Sequence, residues 1–193
     1  MAAGPRARLI EHTISTVQQH GVHAAALSEL LKRSNTSRNS LYQHFPSGKG
    51  ELVQTAARIV SRLVYSHVST MADSLQTTPS VQRWVTDLLA FWRTPLEESD
   101  YSAGSFMMAA ALDELDPTVQ SVAGQAFAEW TARLADGIVA TGIERATAVS
   151  LAGFLLTTIE GTIVHSRALK SPHPFDQAVT QLTLLLDLHL SQR

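Results

Sequence analysis

The stretch from Leu27 to Leu52, LSELLKRSNTSRNSLYQHFPSGKGEL, constrains this chain more than any other. Leu27, Leu30 and Leu31 put apolar side chains at helical spacing, and Ser34-Asn35-Thr36-Ser37 then interrupts the run with four small polar residues. Ser37 is a natural N-cap, because its hydroxyl can accept from a backbone N–H two or three residues on. Leu41 and Phe45 sit four apart, so the segment from Arg38 to His44 has an apolar underside and a polar outer face. Two short helices joined by a tight turn form the helix-turn-helix pattern, whose second helix lies in the DNA major groove.

Helical geometry indicates which side chains could read bases. At about 100° per residue, Asn39 and Gln43 point furthest from the Leu41/Phe45 side. Asparagine and glutamine can pair with adenine and arginine with guanine, so Arg38, near the helix start, joins them as a candidate. Ser37, Ser40, Tyr42 and His44 complete the expected surface, with Ser40 and Tyr42 suited to phosphate oxygens. Pro46-Ser47-Gly48-Lys49 stops the helix, and the next is expected to open at Gly50 or Glu51 with free backbone N–H groups and Lys49 beside a phosphate.

Overall charge argues against a nucleic-acid binder, since the chain carries a net −2. Its distribution reverses that reading. Residues 1–50 hold six Lys/Arg (Arg6, Arg8, Lys32, Arg33, Arg38, Lys49) against Glu11 and Glu29, a net +4, whereas the rest of the chain is −6. A basic head on an acidic body is the footprint of a DNA-binding domain joined to something else. The expected division is a helix-turn-helix domain over 1–50 and a helical ligand-binding and dimerisation domain over 51–193.

The run SLYQHFPSGKGEL resembles the TetR family of bacterial transcriptional repressors, which carry a Leu-Tyr-x-x-Phe motif followed by a lysine in this place. Gly48-Lys49 after Pro46-Ser47 is similar to the LmrA/YxaF-type branch, as is IEGTIVHSRAL over Ile159 to Leu169. Several positions depart from the family pattern. Asn35 stands where the family often has glycine, and asparagine is the next best residue for a left-handed turn. Ala25 stands where a phosphate-binding Thr or Ser is common, which leaves Ser28 to substitute. Gly104-Ser105-Phe106 replaces a Gly-Cys-Pro segment, and with no cysteine anywhere, thiol-based sensing is out of reach.

The whole chain reads as all-α. Helices are expected over 5–20 (stopped by Gly21), 27–33, 37–44, 50–72, about 80–93, 105–115, 117–141, 145–169 and 174–191, with a polar loop over 95–104. The helix over 50–72 is expected to turn Leu52, Ala56, Ile59, Leu63 and His67 to one side. The last two helices, with Leu151, Phe154, Leu155, Ile159 and Ile163, then Leu182, Leu184, Leu185, Leu186 and Leu188, are apolar on more than one face. Such helices must bury two faces, and a homodimer through them would follow. The family resemblance implies the same four-helix interface.

Large apolar residues in the body suggest a pocket for a small hydrophobic ligand: Phe91, Trp92, Phe106, Met107, Trp130 and Phe154 as walls, with Glu160 as the polar group. Glu160 could instead pair with Arg167, since a carboxylate in an apolar helix needs a partner. His20 and His23 lack a third ligand in register, so neither metal nor cofactor is expected. Asp113, Glu114 and Asp116 read as a solvated acidic run. No nucleophile elbow, Walker loop or His-Glu-x-x-His stands in the chain, so no catalytic residue is expected. No run of 18 apolar residues and no apolar leader is visible, which predicts a cytoplasmic protein without a membrane span. The resulting expectation is a dimeric repressor on a near-palindromic double-stranded operator, released by a small hydrophobic ligand. The alternative is an all-helical enzyme or carrier with an incidental helix-turn-helix resemblance.

Overall fold

The structure, a computed structural model, describes residues 4–24 and 26–191. Among them are nine helices: α1 (Pro5–Ala24), α2 (Leu27–Arg33), α3 (Arg38–His44), α4 (Lys49–Ser74), α5 (Val81–Glu98), α6 (Phe106–Ala111), α7 (Pro117–Ala140), α8 (Arg145–Leu169) and α9 (His173–Leu190). No strand occurs among the described residues. The chain forms two compact units: residues 1–62 with 105–126, and residues 63–104 with 127–193. Helices α4 and α7 contribute to both. Ala25, which stands where the family it resembles often has a phosphate-binding Thr or Ser, lies outside the described residues.

In the first unit, α1 packs on α2, α3 and α6. Its helical path breaks at Gly21, whose φ of 82° and ψ of 170° suit only glycine without strain. The core is formed by Leu9, Val17, Leu30, Leu41, Phe45, Leu52, Val53, Ala56 and Ala57, all sealed from solvent. The expected stripe on α4 holds for Leu52 and Ala56 but not for Ile59 or Leu63, which are 40% and 59% exposed. Val53, Ala57, Val64 and Val68 are buried instead, so the inward face drifts around this long helix.

In the second unit, α5, α8 and α9 pack on one another. Ser80 caps α5, accepting from the Arg83 N–H at 3.2 Å, and Glu144 caps α8 through the N–H groups of Ala146 (2.8 Å) and Thr147 (3.1 Å). These bonds hold the exposed Glu144 carboxyl below its usual range. The expected loop from Pro95 is overturned: α5 continues through Pro95 to Glu98. Proline forfeits one backbone bond there, and Arg93 side-chain bonds to Glu97 and Asp176, both 2.7 Å, brace the last turn. Conversely, α6 ends at Ala111 rather than Leu115. Lys170, in a left-handed conformation after α8, donates to the Asp100 and Tyr101 carbonyls at 3.2 Å and ties down the segment after α5.

Helices α4 and α7 meet in this unit at Ala72 and Gly137. A methyl group built on Gly137 would lie 2.6 Å from the Ala72 carbonyl oxygen, so only glycine permits this approach. Helix α8 is long and apolar enough to cross a membrane by length and hydropathy. Leu151, Ala152, Leu155, Ile159 and Ile163 are buried within the chain, as in the core helix of a soluble protein.

Candidate nucleic-acid interface and effector region

The α2–α3 turn is fixed by its own polar atoms. The buried Ser34 hydroxyl donates to the Leu30 carbonyl at 2.7 Å, and Asn35 takes the left-handed conformation with φ 46°. Arg8 reaches from α1 to clamp the turn, donating to the carbonyls of Ser34 at 2.8 Å and Asn35 at 3.2 Å. Ser37 then caps α3, accepting from the Ser40 N–H at 3.1 Å. Leu41 and Phe45 are buried beneath α3, and the Arg6 guanidinium stands 5.5 Å from the Phe45 ring centroid.

The opposite face of α3 is open. Arg38, Asn39, Tyr42, Gln43 and His44 are exposed, Ser40 is half-buried, and Ser37 and Ser28 are exposed at the starts of α3 and α2. The Tyr42 ring rests on Gly48, whose φ of 76° and missing side chain allow the approach; a methyl group there would meet the ring at 3.3 Å.

Lys49 occupies a different place from its sisters. It is half-buried, and its ammonium donates to the Val22 carbonyl at 3.1 Å, tying the start of α4 to the end of α1. An ammonium carries three donors, so this bond leaves two. The backbone N–H cluster before α4 is also partly occupied: Ser47 N–H donates to the Glu51 carboxylate at 2.9 Å.

The residues expected to line a ligand pocket separate. Phe91 and Trp92 lie together on α5, edge to face at 4.9 Å. The sequence reading missed their companion as a site residue. His67 of α4 stacks on Phe91 at 4.5 Å, meets Trp92 edge-on at 5.7 Å, and shares a 3.0 Å hydrogen bond with the Leu88 carbonyl. Burial lowers its pKa below the ordinary imidazole value, against the opposing effect of the Leu88 carbonyl. All three rings are half-buried. Trp130 is fully buried and packs edge to face with Phe127 at 5.3 Å. Glu160 is half-buried on α8. Phe106 and Met107 are core residues of the first unit, on α6 behind the Ser105 cap.

Phe154 stands apart from these residues. It is 53% exposed on the outward side of α8, because Leu151, Leu155 and Ile159 take the inward positions. Val149 and Val164 on α8, and Leu184 and Leu188 on α9, are exposed apolar residues as well. Among the described residues no group of three His, Cys, Asp or Glu side chains could hold a metal ion.

A family model for bacterial regulatory proteins of the TetR type matches residues 9–56, and one for the C-terminal domain of LmrA/YxaF-like transcriptional regulators matches residues 82–181. The chain belongs to the TetR family. An uncharacterised HTH-type regulator of Mycobacterium tuberculosis is 28% identical to this TetR-family chain, with 98% of each covered. LmrA of Bacillus subtilis is 21% identical over 88% of this chain and 89% of its own. Among solved structures, a TetR regulator of Legionella pneumophila superposes with a TM-score of 0.82 at 16% identity, covering 94% of this chain and 96% of that one. The protein is therefore a TetR-family transcriptional regulator of the ligand-responsive kind. Its family comprises DNA-binding regulators, not enzymes, and its members typically act as dimers.

Proposed function

We propose that this regulator is a cytoplasmic, homodimeric repressor whose α3 reads a near-palindromic operator. The observation that carries the reading is the division of α3 into two faces: Leu41 and Phe45 buried, Arg38, Asn39 and Gln43 exposed. In this reading Arg38, Asn39 and Gln43 contact base edges, while Ser28, Ser37, Ser40, Tyr42 and His44 contact the backbone. Lys49 has the smaller part, since one of its donors is already committed to Val22. Residues 1–50 act as the reading head and residues 51–193 as the sensing and pairing body.

Pairing is assigned to the outward faces of α8 and α9. Phe154, Val164, Leu184 and Leu188 leave apolar surface in water on helices already packed on their inner side. A two-fold contact through both helices covers that surface in each copy.

The effector is proposed to be a small hydrophobic, planar compound that engages the His67–Phe91–Trp92 cluster, with Glu160 as a second polar group in the same unit. Offset stacking on such rings favours flat aromatic molecules. Release of DNA by 10- to 100-fold requires about 1.4–2.7 kcal/mol of differential binding to the two states. Selection of duplexes from a random pool, followed by a screen of aromatic compounds for release of the selected duplex, tests both parts. A two-fold symmetric consensus and tryptophan quenching by the releasing compound are the expected results. Retention independent of sequence would contradict the first part, and release by compounds that bind equally well after Trp92→Leu would contradict the second.

A further inference from the structure

In the acidic turn after α6, Asp113-Glu114-Leu115-Asp116, Glu114 and Leu115 are exposed as a solvated run would be, but Asp113 and Asp116 pack into the first unit. Asp113 is only 3% exposed. Its carboxylate accepts the Leu115 N–H at 3.1 Å and lies 3.4 Å from Nε2 of His23, in the last turn of α1. Three residues on, Asp116 caps α7 with one oxygen, accepting from Thr118 and Val119 at 3.1 and 3.2 Å. Its other oxygen would stand 3.3 Å from a methyl group on Gly50, in the first turn of α4. One turn thus touches both helix ends that flank α2 and α3. Lys49 joins those same two ends through Val22.

A buried carboxylate is costly unless it has a polar partner, and Asp113 has the His23 imidazole within 3.4 Å. The asymmetry in burial shows which group is held and which does the holding. Asp113 is fixed by its burial and by its own turn, whereas His23 is 60% exposed and gains its position from Asp113. His23 lies just past the glycine break at Gly21, where α1 no longer holds the chain in its helical path. His23 stands between that break and the first residue of α2, Leu27, so an anchor on its side chain bears on where α2 begins.

We propose that His23 and Asp113 are a positioning pair for the reading head: Asp113 fixes His23, and His23 fixes the direction in which α2 and α3 leave α1. The inference rests on the DNA-reading role assigned to α3 and assigns to residues outside α3 a share in its affinity.

The test uses the full-length protein and the duplex that the unmodified protein selects from a random pool. Asp113→Asn and His23→Ala are expected to lower affinity for that duplex about 10-fold while leaving affinity for a random duplex within twofold. Two rescues separate positioning from general damage: His23→Arg, which sets a long hydrogen-bond donor and a fixed cation opposite Asp113, and His23→Cys with Asp113→Cys joined by a short bifunctional thiol reagent. The chain has no other cysteine, so the bridge forms at one place. Both are expected to recover affinity to within about threefold. Hydrogen exchange without DNA gives a second readout, in which Asp113→Asn speeds exchange over residues 22–37 and leaves α8 and α9 unchanged. Unaltered exchange over 22–37, or unaltered affinity in a folded Asp113→Asn protein, would overturn the pair. Accelerated exchange in a protein that selects no duplex would uphold the pair and refute the DNA-reading role instead.

Discussion

Helices α3 and α8 solve opposite surface problems. The short α3 buries a narrow stripe, Leu41 with Phe45 just beyond its end, and turns polar residues outward. The long α8 buries Leu151, Leu155, Ile159 and Ile163 and still turns Val149, Phe154 and Val164 outward. A polar outward face seeks hydrogen-bonding partners with a fixed pattern, such as base edges and phosphates. An apolar outward face seeks area, which a second copy of the same helix can supply. The contrast teaches that a residue's exposed neighbours, more than its own type, tell what it is for. Phe154, by its type, resembled a pocket wall; its exposed apolar neighbours place it on the proposed pairing surface instead.

The largest expected effect breaks the apolar side of that contrast. Phe154→Glu with Leu184→Glu is expected to convert a sedimenting dimer into a folded monomer and lower operator affinity by at least 100-fold, since two half-sites are then no longer held together. Leu155→Glu is expected to unfold the chain instead, because Leu155 is buried within its own subunit. Sedimentation and circular dichroism distinguish the two, and a dimer surviving the double change would refute the assignment.

The polar side is sharpened by comparing stability with specificity. Leu41→Ala should cost about 2–5 kcal/mol in denaturant unfolding, as a buried leucine removed from a packed core. Asn39→Ala and Gln43→Ala should leave stability within about 0.5 kcal/mol and cost about 1–3 kcal/mol of base discrimination each. Loss of stability without loss of discrimination in the latter pair would mean that the outer face of α3 is structural.

A smaller effect comes from the α4–α7 crossing. Gly137→Ala should destabilise by about 1–3 kcal/mol, because its methyl group has one fixed position and there meets the Ala72 backbone. Smallest is the response of His67 to acid. Its lowered pKa means that the folded state resists protonation, so its neutral form is fully favourable above about pH 6.5. As pH falls below that value toward the folded pKa, the unfolded chain takes up the proton first and stability declines. A melting-temperature profile should show this decline, and His67→Gln should flatten it.

Much of the first unit was legible because its determinants are local. Ser37 as cap, Asn35 in the left-handed turn, Gly21 as helix break and Leu41 with Phe45 as underside each depend on residues within a few positions, and the structure bears them out. What could not be read depends on distant partners. Pro95 signalled a loop, but Arg93 bonds to Asp176, far along the chain, support continued helix. Asp113 looked solvated, since nothing near it in sequence announces His23. Lys49 promised a phosphate contact until Val22 took one of its donors. His67 joined Phe91 and Trp92 only through the packing of α4 on α5. The pairing of faces between helices, rather than the helices themselves, is what a single sequence leaves open.

The central claim is that the outer face of α3 reads sequence in a two-fold arrangement. Binding-site selection with the unmodified protein and with Gln43→Ala tests it most directly. The account predicts two inverted half-sites about one or more helical turns apart, with preference lost at the same position in both half-sites when Gln43 is removed. An asymmetric or sequence-independent selection, or a consensus unchanged by both Gln43→Ala and Asn39→Ala, would contradict it.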